Sequence, residues 1–513
     1  MSQDRQKILL STSRSLESES AWGKAILRLK SQGHRLVAVL GAELPQRWPE
    51  KGTVMVIPDS IGNLSGRSRV PTKSAMQMYS CYRSNPRYAE THSMLMLMMS
   101  RVDSTGTFRA LEREVLIRKL HLEIFSVITE SQPSLAIFDV TPHEAMDFAL
   151  MKALEWRGVP QLMFQPSLVG PQVMARTSLT KILRVKLDPH VVARHKSTID
   201  IIHKIAESSI DRLALGSGTP KMDNQKAKED SLGSVGSRVR AVGYSLKRLR
   251  EPGRDAIFAL TGHQEIPQFV RRILELFLER SLRSSLRGRV EALPSLSSVP
   301  KERFALFALH YEPERSSIPE GYPFDSQLDA IIAARNLLPD AVTLLVKEHF
   351  SQKAAALRGF VGRSIEFYSL LQEIPGVTIL GTNSNTRDLI RSAECVMTFT
   401  GKVGIEAVLE TTRVIFLGQP WWDAMPGTVH FDDLTNYDQF LSRPLPSVRE
   451  VRDWISGEIR SSLLPGVSSV SPERHAERIT PLPPGFQELE AEGIVAAVDA
   501  VISQYGKQRA LWE

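Results

Sequence analysis

Short apolar runs alternate with amphipathic stretches from the first residues of the chain onward. Residues 8–10 and 36–40 are two such runs, and a helical pattern lies between them at about 21–32. Gly33 follows the helical pattern, where glycine commonly ends a helix because it accepts a left-handed backbone. Two strands joined by one helix and short connections must lie parallel. The pattern therefore predicts an α/β fold at the start of the chain.

A second β-α-β pattern begins with the apolar run 135–138, continues as a helix through Trp156, and returns to a strand at 159–164. Asp139, His143 and Glu144 fall at the end of the first strand and in the first turn of the helix. In one interpretation Thr141 caps this helix and Pro142 and Glu144 complete its first turn. That interpretation leaves His143 unexplained, so a functional role for the three residues stays open beside it.

The same rhythm of strands and helices returns in the C-terminal half. The pattern predicts strands at 303–309, 343–346, 377–380, 396–400 and 414–417, and helices at 325–338, 363–373, 386–393 and 402–410. Ligands of such open sheets lie beyond the carboxyl ends of the strands. We therefore predict two doubly wound, Rossmann-like domains facing each other across a cleft.

Three regions follow from these patterns. Residues 1–295 form an N-terminal domain, which carries a basic and partly flexible insertion at about 176–255. Residues 300–445 form a C-terminal domain, with a linker predicted at 293–300. Residues 446–513 form a tail rich in proline and serine, closed by an apolar helix at about 494–502 that needs a surface to pack on.

Composition narrows the class of protein. A chain of 513 residues is too long for one ordinary core, and its 42% hydrophobic and 24% charged residues are typical of soluble proteins. Cys81 and Cys395 give neither a disulfide framework nor a zinc spacing, and no apolar run reaches the ~18 residues of a membrane span. The polar start of the chain does not read as a secretory signal. We expect a cytoplasmic protein.

The net charge of +7 favours an anionic partner, whether a nucleotide, a phospholipid or an acidic glycan. Nucleic acid is not favoured, because zinc-finger spacings and RNA-binding aromatic motifs are missing from the sequence. Four basic residues cluster after the insertion, namely Lys247, Arg248, Arg250 and Arg254. They form either a solvated face or a contact with the inner surface of the membrane.

Two strand ends carry the candidate chemistry. Lys347 and His349 follow the run 343–346, and a cation and an imidazole there can neutralise a leaving phosphate. Thr400 ends the run 396–400 and Gly401 and Gly404 follow it, where a hydroxyl and small residues let a phosphate approach. Glu406 lies one turn further on, placed to accept hydrogen bonds from ribose hydroxyls. Together these residues predict half of a nucleotide-sugar site.

Each of these residues also has an ordinary structural explanation. Lys347 and Glu348 could form a surface pair, His349 could be a turn residue, and Glu406 could face solvent. A Walker-type phosphate loop is absent, because Gly401-Lys402-Val403 lacks the hydroxyl that binds a metal.

The order of several motifs resembles the capsule polysaccharide biosynthesis family. The motifs are Phe307 to Glu314 (FALHYEPE), Val346 to His349 (VKEH), Gly362-Arg363-Ser364 with Phe367-Tyr368, Thr400 to Ala407 (TGKVGIEA) and Phe416-Leu417-Gly418. The Phe-Asp-x-x-Pro-His-Glu sequence at 138–144 is similar to the N-terminal domain of the same family. The likeness is good over about 300–430 and partial over 133–165.

The resemblance implies a GT-B glycosyltransferase of bacterial surface carbohydrates, of which some are Kdo transferases. By resemblance, Lys347 and His349 would contact the donor phosphate, Thr400 and Gly401 would seat it, and Glu406 would hold the nucleotide sugar. His310 and Gly404 are further candidates for binding the donor. Asp139, His143 or Glu144 would take the proton of a polysaccharide or glycolipid acceptor. No metal and no cofactor beyond the nucleotide-sugar substrate is expected.

Two positions depart from the family pattern. Phe350 stands where the family usually has proline, which would bias His349 toward an extended backbone. Lys402 stands where small residues are common, and its cation could help or obstruct a phosphate. Two other functions therefore stay open: a sugar-nucleotide epimerase of the same architecture, and a catalytically silent scaffold that binds glycan or nucleotide.

Overall fold

Two mainly parallel β-sheets organise the chain. The computed structural model describes residues 5–41, 44–45, 54–57, 71–101, 103, 109–167, 169–215, 268–354, 357–467 and 481–509. They divide into a first unit, Met1–Met96, Ala110–Ser209 and Gly457–Glu513, and a second unit, Leu97–Arg109 and Ile210–Ser456. Each sheet belongs to one unit.

The first half of the described chain supplies seven strands and seven helices. In chain order these are β1 Lys7–Ser11, α1 Ala21–Ser31, β2 Arg35–Leu40, β3 Met55–Ile57, α2 Lys73–Arg83, α3 Tyr88–Ser100, α4 Ala110–Ser131, β4 Leu135–Phe138, α5 Ala145–Trp156, β5 Gln161–Pro166, β6 Gln172–Ser178, β7 Lys181–Ile182, α6 Pro189–Arg194 and α7 Lys196–Ala214.

The second half follows the same alternation. Its elements are α8 Gln268–Glu291, β8 Phe304–Ala308, α9 Gln327–Leu337, β9 Thr343–Lys347, α10 Ile365–Glu373, β10 Val377–Leu380, α11 Thr386–Ser392, β11 Cys395–Thr398, α12 Val403–Leu409, β12 Arg413–Phe416, β13 Thr428–His430, α13 Tyr437–Ser442, α14 Val448–Ser461, β14 Leu464–Pro465 and α15 Phe486–Arg509.

The sheet of the first unit has the strand order β14-β6-β5-β4-β1-β2-β3, with β7 paired to β6. The strands from β5 to β3 run parallel, whereas β6 pairs antiparallel with both β5 and β14. The strand order reverses between β1 and β4. This topological switch point is where a doubly wound sheet binds its ligand.

The sheet of the second unit has the order β10-β9-β8-β11-β12-β13, and all its pairs are parallel. Numbered within the unit, this is the order 3-2-1-4-5-6 of dinucleotide-binding folds. Its switch point lies between β8 and β11. The prediction of two Rossmann-like α/β units is confirmed.

The last helix belongs to the core of the first unit. Ala491, Val498 and Val501 of α15 are buried in one cluster with Ile26 and Leu29 of α1. The sequence predicted 446–513 as a separate tail, whereas the structure groups Gly457–Glu513 with the first unit. The reason is burial: the apolar face of α15 is covered by α1, which is more than 400 residues away in the chain.

The predicted linker lies inside the second unit. Leu293 follows α8 and is buried with Leu286 and Val290 in the same cluster as β8. Of the predicted insertion, 176–215 contributes the end of β6, β7, α6 and α7, while the basic cluster at 247–254 lies outside the described residues. Residues 94–99, a run of methionines and leucines, form part of α3, and nearby His92 pairs with Glu114 at 2.6 Å.

Candidate functional site

His310 holds together the switch point of the second unit. It follows β8, and its ring nitrogen Nε2 lies 3.0 Å from the hydroxyl of Thr398 at the end of β11. Its Nδ1 lies 3.1 Å from the hydroxyl of Ser316. The side-chain amide of Gln327 accepts from the His310 backbone N–H at 2.8 Å and donates to its carbonyl at 3.2 Å. The strand ends β8 and β11 are therefore tied through one imidazole.

The His310 ring is neutral. Burial, and then the nearby His349 and Arg363, lower the pKa of His310 to about 3. Because both ring nitrogens are engaged by hydroxyl groups of the protein, His310 acts as a fixed part of the wall. His349 is near enough to His310 for its charge to lower this pKa, and the strands that the two residues follow, β8 and β9, are neighbours in the sheet.

Lys347 and His349 lie at the carboxyl end of β9. Lys347 is buried and pairs in the sheet with Ala308 of β8 and Leu380 of β10. His349 is half-buried and caps the 3-10 helix Phe350–Lys353, its Nδ1 accepting from the Ser351 N–H at 3.1 Å. A neutral ring whose Nδ1 accepts must carry its proton on Nε2. His349 is thus arranged as a hydrogen-bond donor.

The backbone of His349 is extended, with φ −72° and ψ 133°. This is the conformation that a following proline would favour. Phe350 therefore does not prevent it, because the cap and the start of the 3-10 helix already fix the local backbone. The departure from the family pattern at Phe350 leaves the direction of His349 in place.

Glu348 is fully buried, so the alternative of an exposed Lys347–Glu348 pair is wrong. Its carboxylate accepts from the Tyr368 hydroxyl at 2.7 Å and lies 3.3 Å from Arg363 Nε. Arg363 also pairs with Glu312 at 2.6 Å and donates to the His310 carbonyl at 3.1 Å. This network connects the loops that follow β8 and β9.

Thr400 and Gly401 close the other side of the switch point. The Thr400 hydroxyl donates to the Ser316 carbonyl at 3.2 Å. A Cβ on Gly401 would lie 2.9 Å from the Thr398 hydroxyl and 3.2 Å from His310 Nε2, so only glycine fits. Ser316 therefore contacts both Thr400 and His310, and the nearby His349 lowers the pKa of this same His310.

Gly404 lies against the side chain of Trp422, whereas the sequence predicted that it lets a phosphate approach. A Cβ at this position would lie 2.3 Å from Cη2 of Trp422, whose side chain is buried. The glycine thus lets helix α12 pack against the indole. The absence of a side chain at Gly404 permits this core packing, and the atoms nearest to a Cβ there belong to Trp422.

Glu406 lies on α12, one turn beyond the switch point, and is half-buried. Burial raises the pKa of Glu406, and Lys402 opposes that shift. Within the described part of the chain, no group donates a hydrogen bond to this carboxylate. A half-buried acceptor of this kind is suited to hydroxyl groups of a ligand.

Asp139 lies at the switch point of the first unit. Its Oδ2 accepts from the Thr12 hydroxyl at 2.8 Å and from the Ser13 N–H at 3.1 Å. It therefore joins the ends of β1 and β4. Beside it, Arg14 donates to the Val467 carbonyl at 2.7 Å and pairs with Glu490 of α15 at 3.2 Å.

His143 and Glu144 precede α5 at the same edge. Glu144 is exposed and is the N-cap residue of the helix, with no capping bond from its side chain. The Nδ1 of half-buried His143 lies 3.1 Å from the Thr141 carbonyl, which can only accept. His143 Nδ1 must therefore carry the proton, and Nε2 is the basic nitrogen of the neutral ring.

The interpretation of Thr141 as the cap of α5 is wrong. The Thr141 N–H donates to the Phe164 carbonyl, and its hydroxyl is buried without a partner in the described part of the chain. Asp147 takes the capping role by accepting from the His143 N–H at 3.2 Å, as an acidic residue at the third helical position can. Burial, and then Glu144, hold the pKa of Asp147 well above its usual range.

Sequence reasoning missed the residues that support the site. Glu348, Arg363 and Tyr368 stood within the family motifs without an assigned role, and Gln327 and Glu490 stood outside them. A charged residue directly before a candidate histidine was the available signal for Glu348. No sequence signal pointed to Glu490, because its partner Arg14 is 476 residues away.

Part of the chain matches a known protein family. Residues 272–440 match the family described as capsule polysaccharide biosynthesis protein, which confirms the resemblance over this part of the chain. The match contains β8 to β13 and the whole switch point of the second unit. No curated protein matches the sequence.

Several solved structures share a distant likeness. The Kdo 2,4 transferase of KpsC from Thermosulfurimonas dismutans is 12% identical, with 63% of this chain and 79% of that chain covered and a TM-score of 0.26. The UDP-GlcNAc 2-epimerase of Methanocaldococcus jannaschii is 10% identical, with 88% and 97% covered and a TM-score of 0.22. The glycosyltransferase SnogD of Streptomyces nogalater is 12% identical, with 97% and 99% covered and a TM-score of 0.19. These likenesses are too weak to assign an activity or a residue.

The described residues contain neither a metal-binding cluster nor a membrane-spanning helix. Their histidine, cysteine and acidic side chains form no group of three that could hold a metal ion. Among the helices that the structure describes, none is both long and apolar enough to cross a bilayer.

Proposed function

We propose that this chain is a glycosyltransferase that moves a sugar from a nucleotide donor to a bacterial surface polysaccharide or glycolipid. The observation that carries the proposal is the position of His349, a ring with its proton on Nε2, at the end of β9, next to the strand β8 that neutral His310 joins to β11 at the switch point of a dinucleotide-binding sheet. The family match of the same segment supports it. A donor nitrogen beside a buried lysine is suited to a departing phosphate.

The second unit binds the donor in this proposal. Lys347 and His349 stabilise the negative charge that grows on the phosphate as the bond to the sugar breaks. Thr400 and Gly401 line the place of the phosphate, and Glu406 accepts from hydroxyl groups of the nucleotide sugar. Lys347 and Thr398 end the two strands that flank β8, so the proposed phosphate lies beyond the carboxyl ends of these three strands.

The first unit supplies the base. His143 Nε2 takes the proton of the acceptor hydroxyl while the acceptor oxygen forms its bond to the anomeric carbon. The bond from that carbon to the phosphate oxygen breaks, and the nucleotide leaves with the electron pair. Asp139 is engaged by Thr12 and Ser13, so we assign it to holding the loop, and Glu144 is exposed.

The proposal needs no resident metal and no cofactor, since the charge on the phosphate is met by Lys347 and His349. It places the protein inside the cell, at the inner face of the membrane where a glycolipid acceptor would be presented. Nucleic acid is not among the proposed partners.

The test is release of nucleotide from CMP-, UDP- and GDP-linked sugars in the presence of a polysaccharide or glycolipid acceptor fraction. His349→Ala should lower the rate by about 10³-fold, because one oriented donor of this kind contributes about that much. His430→Ala is the matched control, since His430 caps a 3-10 helix in the same way, its Nδ1 accepting from the Asp432 N–H at 3.2 Å. It should keep transfer within a few-fold.

Three results would contradict the proposal. Equal turnover of the two variants would remove His349 from the mechanism. Conversion of the nucleotide sugar to its epimer without an acceptor would favour the epimerase. A protein that binds none of the donors in calorimetry would be a scaffold.

A further inference from the structure

A buried group of polar side chains lies directly behind His349. Glu348 Oε1 accepts from the His349 backbone N–H at 2.6 Å. Glu348 Oε2 accepts from the Tyr368 hydroxyl at 2.7 Å and lies 3.3 Å from Arg363 Nε. The side chains of Glu348 and Arg363 are 0% and 1% exposed, so these bonds form away from water. Hydrogen bonds to ions in such surroundings are strong and directional.

The charge of this group is balanced within the protein. Arg363 meets Glu348 on one side and Glu312 on the other, and its guanidinium lies 4.3 Å above the ring of Phe367. Burial alone would lower the pKa of Arg363, but Glu348 and then Glu312 raise it. Arg363 thus gives Glu348 a permanent cation as partner.

Two contacts fix the direction of the His349 ring. Glu348 holds the backbone N–H of His349, and the Ser351 N–H holds its Nδ1. Arg363 extends the same support to His310 by donating to its carbonyl at 3.1 Å. A small displacement of a catalytic group can cost up to about a hundred-fold in rate, so fixed placement is worth much.

We propose that Glu348 is a positioning residue that aims His349 at the donor phosphate, and that Arg363 and Tyr368 keep its carboxylate in place. This inference rests on the proposed function, because it assigns a purpose to the network only if His349 binds phosphate. It predicts that Tyr368, whose hydroxyl donates to Glu348, contributes to phosphate binding.

Tyr368→Phe tests the inference, and the chain offers a matched control. Tyr437 is also buried in the second unit, and its hydroxyl donates to Glu394 at 3.0 Å, at the amino end of β11. Tyr437→Phe therefore removes a similar bond far from the carboxyl edge of the sheet. Calorimetry of CMP, UMP and GMP against cytidine, uridine and guanosine gives the factor by which the phosphate tightens binding.

In the wild type we expect at least one nucleotide to bind more tightly than its nucleoside. Tyr368→Phe should reduce that factor about ten-fold without changing the affinity for the nucleoside, while Tyr437→Phe should leave both values unchanged. Amide exchange of the segment 348–353 should quicken only in Tyr368→Phe. Phe367→Leu, which removes the ring beneath Arg363, should act in the same direction and serves if Tyr368→Phe does not fold.

If Tyr368→Phe keeps the phosphate factor as fully as Tyr437→Phe does, the positioning role is wrong while the proposed function stands. If the wild type gains nothing from the phosphate with any of the three nucleotides, the proposed function fails and the inference fails with it.

Discussion

The two switch points of this protein share a topology and differ in how they are held together. In the first unit a carboxylate, Asp139, joins the strand ends by accepting from Thr12 and Ser13. In the second unit a neutral imidazole, His310, joins them through Thr398 and Ser316. The negative charge of Asp139 disfavours binding of an anion nearby, whereas neutral His310, close to the cation of Lys347, does not. This contrast is why the proposed function places the phosphate in the second unit.

His143 and His349, the half-buried histidines at the carboxyl edges of the two sheets, differ in which ring nitrogen carries the proton. His143 donates from Nδ1 to a carbonyl, so its basic nitrogen is Nε2. His349 accepts at Nδ1 from a backbone N–H, so its Nε2 is a donor. The local backbone has therefore set one ring to take a proton and the other to offer one. General-base and leaving-group roles require these opposite states.

The largest expected effect concerns the buried ion pair of the first unit. Arg14→Met should destabilise the protein by about 4 kcal/mol, because it leaves Glu490 buried without its cation. Burial raises the pKa of Glu490, and Arg14 is the main opposing influence. Urea denaturation measures the loss. The double variant Arg14→Met/Glu490→Met should be much milder, and an equal loss in both would show that the charge pairing is not the cause.

The next effect is a dependence of stability on pH. The pKa of His310 in the folded protein, about 3, is below its usual 6.5, so the unfolded chain takes up the proton first as the pH falls. The stability is complete above pH 6.5 and should fall by about 3 kcal/mol by pH 4.5 from this residue alone.

His121 gives the corresponding comparison in the first unit, where burial lowers its pKa to about 4. His310→Asn and His121→Asn should each remove about one proton from the pH slope of the unfolding free energy. A slope that is unchanged in either variant would show that the histidine concerned titrates normally.

Gly404→Ala should cost about 2 kcal/mol, because the new Cβ would lie 2.3 Å from the buried ring of Trp422. Thermal denaturation measures this change, and Gly457→Ala on α14, where a Cβ meets nothing within 4 Å, is the control. A variant as stable as the wild type would mean that the helix and the indole can separate, and Gly404 would again be a candidate for ligand contact.

The smallest effects compare the hydrogen bonds that connect the strand ends at the two switch points. Thr398→Val should cost about 1.5 kcal/mol, since it leaves a nitrogen of buried His310 without a partner. Thr12→Val should cost about 0.5 kcal/mol, because half-buried Asp139 keeps the Ser13 N–H and can reach water. Urea denaturation measures both changes. If Thr12→Val cost more than Thr398→Val, the switch point of the second unit would not be less accessible to water than that of the first.

Several features of the fold could be predicted from the sequence because they depend on neighbours in the chain. Helix α1 ends at Ser31 before Gly33, whose φ of +95° favours glycine. The ends of β9 and β11 fall at the predicted candidate residues. Alternation of apolar runs and helical patterns was sufficient for these assignments.

Other features could not be predicted, because they depend on residues far apart in sequence. The antiparallel strands β6 and β14 gave no pattern that separates them from loops, and β14 is only two residues long. In one interpretation of the sequence Thr141 caps α5, yet its N–H donates to Phe164 of β5 and the N-cap residue is Glu144.

The sequence by itself determined the two α/β units, the strand end at Lys347 and His349, and the motif order that resembles a known family, since local periodicity and motif order encode all three. Only the tertiary structure decided which groups are buried and what they meet: that His310 is a neutral joint, that Glu348 faces Arg363, and that Gly404 admits an indole. Burial sets the strength of hydrogen bonds and the protonation of side chains, and burial is a property of the packed chain.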